Sequence, residues 1–335
     1  MTPDLPPDLK AALERAAFGV SRGAAAERAA AISRAYRDGG SSRLIANADD
    51  ALAYALTRMP ATYAAAAACL DALRTALPGF TPQSLLDIGA GPGTASFAAA
   101  EAFESLADFA LIDANPALRD LALRLAAGSP RLRTTAAYRL GEARIELAAA
   151  APADLVTASY VLAELPDDDA AALTERMWDK TAGVLLIVEP GTPAGWRRVL
   201  AARAQVVAQG GHVAAPCPHD DACPLADPDW CHFAQRLARS RDHKLTKRAD
   251  APFEDEKFAY VALTRLPLPQ RPARVLAPPL LNKVAVTARL CTPDGLARLT
   301  APRRDKTAYA AARRLRWGDA LTGPALEGHI ALAEP

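Results

Sequence analysis

Apolar residues in the first part of the chain recur at helical spacing. Residues 7–75 are rich in alanine, with apolar positions three and four residues apart. The stretch DGGSS at 38–42 and Pro60 interrupt this pattern, which predicts several helices rather than one. We therefore expect a helical N-terminal domain over residues 1–75.

Beyond residue 82, short apolar runs alternate with helix-like segments. Four of the runs are SLLDIGAG, DFALIDAN, ADLVTASYV and AGVLLIVEPG, and three of them have glycine or an acidic residue at or near the end. Strands that alternate with helices are joined by right-handed crossovers and form a parallel sheet. The pattern predicts an α/β, Rossmann-like core over residues 76–200.

A cysteine-rich loop follows a predicted helix at 193–210 and interrupts the alternation. The strand-like stretches KFAYVALTR at 257–265 and KVAVTARLC at 283–291 then resume it. This order predicts that residues 201–255 are an insertion within one sheet, and that residues 256–335 supply the remaining strands.

The chain has 335 residues, of which 51% are hydrophobic, so it can bury a large core without covalent links. Its net charge of +1 argues against a general nucleic-acid coat. Two segments are nevertheless strongly basic: 236–248 has six Lys or Arg against one Asp, and 298–316 has seven against one. Each segment either contacts phosphates or forms a solvated helix face, and we expect 236–248 to be a basic helix.

The location of the protein is predicted from its first residues and its apolar runs. The start MTPDLPPDLKAALER lacks the pattern of a signal or transit peptide, and no uncharged apolar run reaches 18 residues. We expect a cytoplasmic protein with no membrane partner. In that reducing compartment a cluster of cysteines indicates metal binding or catalysis, whereas Cys69 fits a buried helix position.

The stretch LLDIGAGPGTASFAAA at 85–100 predicts a strand, a glycine turn and a helix. Gly89, Gly91 and Gly93 allow a ligand to approach the backbone near a helix N-terminus. Asp113 follows the next strand, where a carboxylate binds the hydroxyls of a ribose. Both nicotinamide dinucleotides and S-adenosylmethionine are bound in this way.

Two residues favour S-adenosylmethionine. A dinucleotide fingerprint requires glycine at the position of Thr94, whereas an acid two residues before the first glycine, here Asp87, is typical of S-adenosylmethionine sites. We therefore predict the sheet of a class I methyltransferase. Ser159, Tyr160 and Glu164 are expected at its carboxyl edge beside the cofactor.

No catalytic residue is assigned. Methylation of exocyclic amino groups commonly uses an Asp-Pro-Pro-Tyr-like tetrapeptide after the fourth strand, and methylation of cytosine carbon uses a cysteine there. The chain has SYVLAEL at this position, with neither feature.

The loop CPHDDACPLADPDWCHF, residues 217–233, contains three of the five cysteines. Their spacing is C-x5-C-x7-C, and a tetrahedral metal site or a cubane cluster needs a fourth ligand. Zinc and a [4Fe–4S] cluster both fit, because the spacing does not separate them. The three loop cysteines are Cys217, Cys223 and Cys231. The candidates for the fourth ligand are Cys291, His219, His232 and His243.

The chain resembles the family of ribosomal small-subunit methyltransferase-like proteins, whose eukaryotic members are mitochondrial and assist small-subunit assembly. Without a transit peptide it looks like a bacterial relative. Seven ordered motifs carry the resemblance: RMPATYAA at 58–65, LLDIGAGPGTA at 85–95, SYVLAELP at 159–166, VEPGTPAG at 188–195, CPHDDACPL with DWCHF, FEDEKFAYVALTR at 253–265, and WGD at 317–319.

The resemblance implies a [4Fe–4S] cluster on Cys217, Cys223, Cys231 and Cys291, and S-adenosylmethionine at the glycine loop. It also implies contact with small-subunit ribosomal RNA through basic surfaces. The candidate RNA-binding residues are Arg236, Arg239, Arg241, Lys244, Lys247, Arg248, Arg313, Arg314 and Arg316.

Three functions follow from these features. The first is methylation of small-subunit rRNA, and the second is assembly of the subunit by a non-catalytic iron–sulfur protein. The third, methylation of a small molecule, is disfavoured by the basic segments. We expect a monomer, because RNA would cover the basic face.

Overall fold

The computed structural model of the protein describes residues 4–37, 42–133, 136–239, 251–266, 268, 271–322 and 324–332. The described residues form nine α-helices: α1 Pro7–Ala16, α2 Arg22–Arg37, α3 Ala48–Ala76, α4 Thr94–Ala102, α5 Pro116–Ala126, α6 Ala143–Ala149, α7 Asp167–Asp179, α8 Pro193–Ala208 and α9 Lys306–Ala312. Their strands are β1 Ser84–Ile88, β2 Asp108–Asp113, β3 Ala136–Leu140, β4 Ala153–Ser159, β5 Thr181–Pro190, β6 His212–Ala215, β7 Phe233–Ala238, β8 Phe253–Thr264, β9 Arg274–Val275, β10 Leu280–Leu281, β11 Ala285–Thr292, β12 Gly295–Pro302 and β13 Ile330–Leu332.

The main sheet has eight strands. Its order is β3-β2-β1-β4-β5-β8-β6, and β7 also pairs with β8. Strands β1 to β5 pair in parallel with one another, whereas β8 is antiparallel to β5, β6 and β7. The predicted α/β core is therefore confirmed, with β8 as a reversed strand.

Helices cover both faces of this sheet. One core combines the N-terminal helices, α4 and α5 with side chains from one face. The other combines α7 and α8 with side chains from the opposite face. This layering leaves the carboxyl edge of the parallel strands for ligands, as in other open α/β sheets. No helix in the described ranges has the length and apolar character required to cross a membrane.

The N-terminal region is helical, as predicted, but Pro60 does not interrupt it. Helix α3 runs for 29 residues through Pro60. An interior proline removes one backbone hydrogen bond, at a cost of about 3 kcal/mol. Here Met59 and Ala61 on either side are fully buried, and packing against α4, α5 and β8 offsets that loss. Residues 38–41 of the DGGSS stretch lie outside the described residues.

The cysteine loop interrupts one edge of the main sheet. Strand β6 pairs with the end of β8, from Ala262 to Thr264, and β7 pairs with its first half, from Phe253 to Phe258. Residues 216–232 thus leave the sheet after β6 and return in β7 beside the same strand. The boundaries 201–255 of the predicted insertion stay a prediction, and residues 236–238 form a strand where a basic helix was expected.

The prediction that residues 283–291 continue the main sheet is wrong. Strand β11 lies in a second, antiparallel sheet of order β10-β11-β12-β13, with β9 paired to β11. Strand β8 already pairs with β5 on one side and with β6 and β7 on the other, so no position beside it remains for β11. Strand β3 was not predicted, since its short segment lies at the sheet edge with Leu140 exposed.

Candidate cofactor and cysteine sites

The glycine loop connects β1 to α4 at the carboxyl edge of the sheet. Gly89, Gly91 and Gly93 have φ values of +62°, +54° and +83°, a region that other residues enter at a cost. A Cβ atom at Gly89 would lie 2.4 Å from Cγ2 of Val161. The loop therefore requires glycine both for its conformation and for its approach to the segment after β4.

Asp113 joins this loop to the end of β2. Gly91 N donates to its Oδ2 over 2.8 Å, and Asn115 N donates to its Oδ1 over 2.7 Å. Each carboxylate oxygen has further acceptor capacity, so both are able to accept a ribose hydroxyl. Burial raises the pKa of Asp113 despite these two backbone donors. The arrangement fits the predicted role in nucleoside binding, and that role stays a prediction.

Tyr138, on the edge strand β3, is a loop contact that the sequence did not reveal. Its hydroxyl donates to the carbonyl oxygen of Gly91 over 2.6 Å. Gly91 is therefore held through its N–H by Asp113 and through its carbonyl by Tyr138. Tyr138 was missed because its contact with the glycine loop follows from its position on β3, a strand that we did not predict.

Asp87 supports the loop from within the core. Its carboxylate is buried and accepts hydrogen bonds from Ser96, over 2.7 Å, and from Thr157, over 2.8 Å. These bonds tie β1 to α4 and β4 beneath the glycine turn. Burial raises the pKa of Asp87 to about 6, although both hydroxyl groups lower it. The contact between Asp87 and a cofactor stays a prediction.

The end of β4 is held by a polar network. Tyr160 has a φ of +63°, and its hydroxyl donates to Oε1 of Glu256 over 2.9 Å. The Arg58 guanidinium contacts both oxygens of the same carboxylate, at 3.0 and 3.4 Å. Arg58 and Glu256 lie within the motifs RMPATYAA and FEDEKFAYVALTR, yet their side chains were not singled out. Ser159 ends β4 immediately before this network.

Residues 42–45 form a strap over the carboxyl edge. Glu164 accepts hydrogen bonds from both N and Oγ of Ser42 at 3.0 Å. The Asn115 amide donates to the carbonyl oxygens of Ser42, over 2.9 Å, and Ile45, over 2.8 Å. The strap therefore links the segment after β2 to the segment after β4. Asn115 and the strap were missed because their pairing spans about seventy residues.

Glu189, in the VEPG motif, also fixes the segment after β4. It is fully buried, and its carboxylate accepts hydrogen bonds from Leu162 N, over 2.8 Å, and Ala163 N, over 3.0 Å. Burial raises its pKa to about 8. Glu189 thus positions backbone at the carboxyl edge instead of facing solvent.

The four cysteines predicted as ligands line one cavity of about 30 Å³ between α8, β8 and the second sheet. All five cysteines of the chain are free, and Cys69 is a buried residue of α3, as predicted. Burial raises the pKa values of three of the cavity thiols, that of Cys291 to about 12. The other two are those of Cys217 and Cys231.

The arrangement of the cavity side chains determines which metal group they fit. In the part of the chain that the structure describes, no three His, Cys, Asp or Glu side chains converge on a point that one metal ion would occupy. A zinc ion requires four donors within about 2.3 Å of one centre. A cubane binds each thiolate through a different iron, which spreads its ligands more widely. Four free thiols around one cavity fit that donor chemistry.

The candidate histidines differ in their surroundings. His219 lines the cysteine cavity, with Nε2 3.5 Å from Sγ of Cys291. The ring of His232 instead stacks on Trp230 at 5.0 Å and meets Trp317 edge-on at 4.8 Å. His243 lies outside the described residues. His219 is thus the histidine that the fold brings to the thiols.

The predicted RNA-binding residues fall into three groups. Arg236 and Arg239 lie on or just after β7 and pair with Asp255 and Glu254. Arg313, Arg314 and Arg316 follow α9 and are exposed. The remaining four lie outside the described residues: Arg241, Lys244, Lys247 and Arg248.

The sheet order, the glycine turn after β1 and the acid after β2 define the Rossmann-like fold of S-adenosylmethionine-dependent methyltransferases. A family model described as "Mitochondrial small ribosomal subunit Rsm22" matches residues 48–322. Since this match spans most of the chain, the protein belongs to the Rsm22 family. The predicted resemblance is confirmed.

Two curated relatives show how far the similarity extends. "Ribosome assembly protein METTL17, mitochondrial" of Homo sapiens is 31% identical over 290 residues, which cover 81% of this chain and 62% of that protein. "Rsm22-cox11 tandem protein 2, mitochondrial" of Schizosaccharomyces pombe is 24% identical over 339 residues, covering 85% of this chain and 44% of that protein. The chain thus spans less than two thirds of either relative.

These relatives correct one prediction. Both are named as mitochondrial proteins, and so is a second Schizosaccharomyces pombe tandem protein of the same similarity. The expectation of a cytoplasmic protein, which rested on the start of the sequence, is therefore wrong. The N-terminal composition was insufficient to decide the location.

Solved structures with a similar fold include two methyltransferases. Magnesium protoporphyrin IX methyltransferase of Synechocystis PCC 6803, with bound SAM, has a TM-score of 0.41 and 12% identity, covering 62% of this chain and 80% of that one. Precorrin-6y C5,15-methyltransferase of Geobacter metallireducens GS-15 has a TM-score of 0.39 and 12% identity, covering 58% and 86%. At these identities the likeness concerns the fold alone.

Proposed function

We propose that the protein binds S-adenosylmethionine and acts on the small ribosomal subunit, either by methylating its RNA or by assisting its assembly. The observation that carries the proposal is the glycine turn closed onto Asp113, with Gly91 N donating to the carboxylate over 2.8 Å. Family membership supports the ribosomal partner, because a relative is named as a ribosome assembly protein. The partner's RNA would be contacted through the exposed arginines after α9.

The roles of this chain's residues follow from their positions. S-adenosylmethionine, when bound, supplies an activated methyl group. Gly91 and Gly93 would let it approach the backbone, and Asp113 would hold its ribose. Ser159 and the strap of residues 42–45 lie at the same edge and would restrict water. Orientation of the RNA base would supply most of the rate enhancement.

Transfer of radioactive label tests the enzymatic form of the proposal. Protein prepared without oxygen is incubated with methyl-labelled S-adenosylmethionine and immature small subunits from cells lacking the gene. We expect stoichiometric label in the RNA, and its loss in the Gly91→Val variant. Arg34→Ala, on the exposed side of α2, is the matched control. Tight binding of these particles without any label contradicts methyl transfer.

A second candidate function is non-catalytic assembly. Three observations favour it. The segment after β4 lacks a catalytic tetrapeptide, and the hydroxyl of Tyr160 is engaged by Glu256. Val161 also packs directly against Gly89. In this alternative the cofactor and the fold serve as a platform that binds RNA. The same labelling experiment distinguishes the two functions.

We further propose that Cys217, Cys223, Cys231 and Cys291 hold a [4Fe–4S] cluster. Four free thiols from the loop and from β11 around one cavity support this proposal. Such a cluster would link the second sheet to the main sheet.

Metal analysis of protein purified without oxygen tests the cluster. We expect about four iron and four sulfide per chain, and their loss with a lower melting temperature in Cys223→Ser. Cys69→Ser controls for loss of a thiol outside the cavity. Colourless protein with one zinc per chain, or unchanged metal content in Cys223→Ser, contradicts the proposal.

A further inference from the structure

Two arginines at the cysteine cavity are buried without an acidic partner. Arg203, on α8, is 4% exposed, and Arg274, on β9, is 7% exposed. Both line the cavity with the four cysteines. None of the ion pairs formed within the described ranges includes either residue.

The hydrogen bonds of both side chains go to backbone carbonyl groups. Arg203 Nη2 donates to the carbonyl oxygens of His219, over 2.9 Å, and Asp221, over 2.6 Å. Arg274 donates to those of Pro216, over 3.0 Å, and Gly318, over 2.9 Å. Three of these four carbonyls belong to the cysteine loop, so the two guanidinium groups hold the loop on both sides of Cys217. Arg203 Nε is buried and has no partner.

Carbonyl dipoles do not neutralise two buried positive charges. A guanidinium remains protonated in proteins, and a buried charge is costly unless an opposite charge accompanies it. Neutral thiols supply no negative charge. Four thiolates around an iron–sulfur core supply it, since the complete group is an anion and becomes more negative when it is reduced.

We propose that Arg203 and Arg274 are the counter-charges of the anionic cluster held by the four cysteines, and that they raise its reduction potential. This inference rests on the proposed function. The two arginines stabilise the reduced cluster more than the oxidised one, because the reduced cluster has one more negative charge. They also bind the loop carbonyls that position Cys217.

A redox titration of the reconstituted full chain tests the proposal. Dithionite supplies the single electron, and redox dyes report the ambient potential while the cluster spectrum is recorded. At the wild-type midpoint we expect Arg203→Met and Arg274→Met each to lower the ratio of reduced to oxidised cluster by about tenfold. For a one-electron couple this corresponds to a shift of about 59 mV to more negative potential.

Two further variants separate charge from structure. Arg203→Lys keeps the charge and is expected to retain nearly the wild-type potential. Arg265→Met is the matched control, because Arg265 also donates to two backbone carbonyls, those of Thr181 and Trp178, but does not line the cavity. If Arg203→Met fails to hold a cluster, Arg274→Met and Arg203→Lys still report on the charge.

The outcomes distinguish the two proposals. Wild-type protein without iron and sulfide overturns both the cluster and its counter-charges. A cluster with the same potential in wild type, Arg203→Met and Arg274→Met overturns the counter-charge proposal alone. Loss of the cluster in Arg203→Lys as well as Arg203→Met also overturns it, since shape rather than charge would then be required.

Discussion

The hydroxyl of Tyr160 donates to Oε1 of Glu256 over 2.9 Å, although the two residues are 96 positions apart in the chain. The same carboxylate accepts from Arg58 of α3. This contact joins the N-terminal helices, the end of β4 and the reversed strand β8 at one point. It also fixes the conformation of Tyr160, whose φ of +63° is unfavourable for a tyrosine.

Removal of the Glu256 carboxylate is expected to cost more stability than removal of the Tyr160 hydroxyl. Tyr160→Phe loses one hydrogen bond, about 1 kcal/mol. Glu256→Ala leaves the Arg58 guanidinium without its anion. We expect a loss of about 2 kcal/mol in the free energy of unfolding, less than for a fully buried pair, because the Arg58 side chain is 31% exposed and solvent screens its charge. Urea unfolding measures both. Equal losses in the two variants would show that the ion pair adds nothing.

Alanine substitution is expected to destabilise the protein more at Gly89 than at Gly91. Gly89 and Gly91 both have positive φ, so each alanine variant loses about 1–2 kcal/mol from backbone strain. At Gly89 the new Cβ would lie 2.4 Å from Val161 Cγ2, whereas at Gly91 the nearest atom, Leu118 Cδ1, is 3.9 Å away. We therefore expect Gly89→Ala to lose a further 1–3 kcal/mol or so from overpacking.

A second substitution tests the cause of that difference. Adding Val161→Ala to Gly89→Ala removes the two methyl groups that the new Cβ would meet, and is expected to recover most of the extra loss. Val161→Ala alone is the reference. Chemical unfolding of the four variants supplies the comparison, and an equal stability of Gly89→Ala and Gly91→Ala would contradict the close approach.

The sequence predicted those parts of the fold that local patterns encode. Four of the parallel strands, the glycine turn and the three cysteines of the loop have a local signature. Cys291 lies 60 residues further on, and only the folded chain brings it to the cavity that the loop cysteines line. The membership of β11 in a second sheet has no such signature. It depends on β8 being paired on both sides, which is a property of the assembled sheet.

The polar network at the carboxyl edge was also beyond local reasoning. Asn115 is the N-cap of α5, and its side chain accepts a hydrogen bond from Leu118 N. Its amide additionally donates to Ser42 and Ile45, which lie 73 and 70 positions away. Spacing rules describe helices and strands but give no information on such distant partners, so the strap appears only in the folded chain.

Stability is expected to depend on pH through Asp87. Its pKa rises from the ordinary 3.8 to about 6 because the folded chain buries it. The folded state therefore binds this proton more tightly than the unfolded state. Its contribution to stability is complete below pH 3.8 or so and is lost as the pH rises through about 6.

Comparison with Asp87→Asn isolates this effect. Asparagine donates to one of the two hydroxyls, Ser96 or Thr157, and accepts from the other, without titrating. Between pH 4 and 7 we expect the free energy of unfolding of wild type to fall by about 2 kcal/mol relative to the variant. Urea unfolding at several pH values measures this difference. Parallel pH profiles would mean that Asp87 keeps an ordinary pKa.

Binding of small-subunit RNA is expected to depend on salt through the arginines after α9. Arg313 and Arg314 are exposed and belong to none of the ion pairs formed by the described residues. If each contacts a phosphate, the double alanine variant reduces the slope of log affinity against log salt by about 1.4 to 1.8. Filter binding at several salt concentrations measures the slope.

Controls for this prediction come from arginines in other surroundings. Arg34→Ala with Arg124→Ala removes the same charge from exposed positions on α2 and α5, and is expected to leave the slope unchanged. Arg236→Ala should have a smaller effect than Arg313→Ala, because Arg236 already contacts both oxygens of Asp255, at 2.7 and 2.9 Å. Equal slopes for the α9 variant and the control pair would mean that this surface does not track phosphates, whatever the overall affinity for RNA.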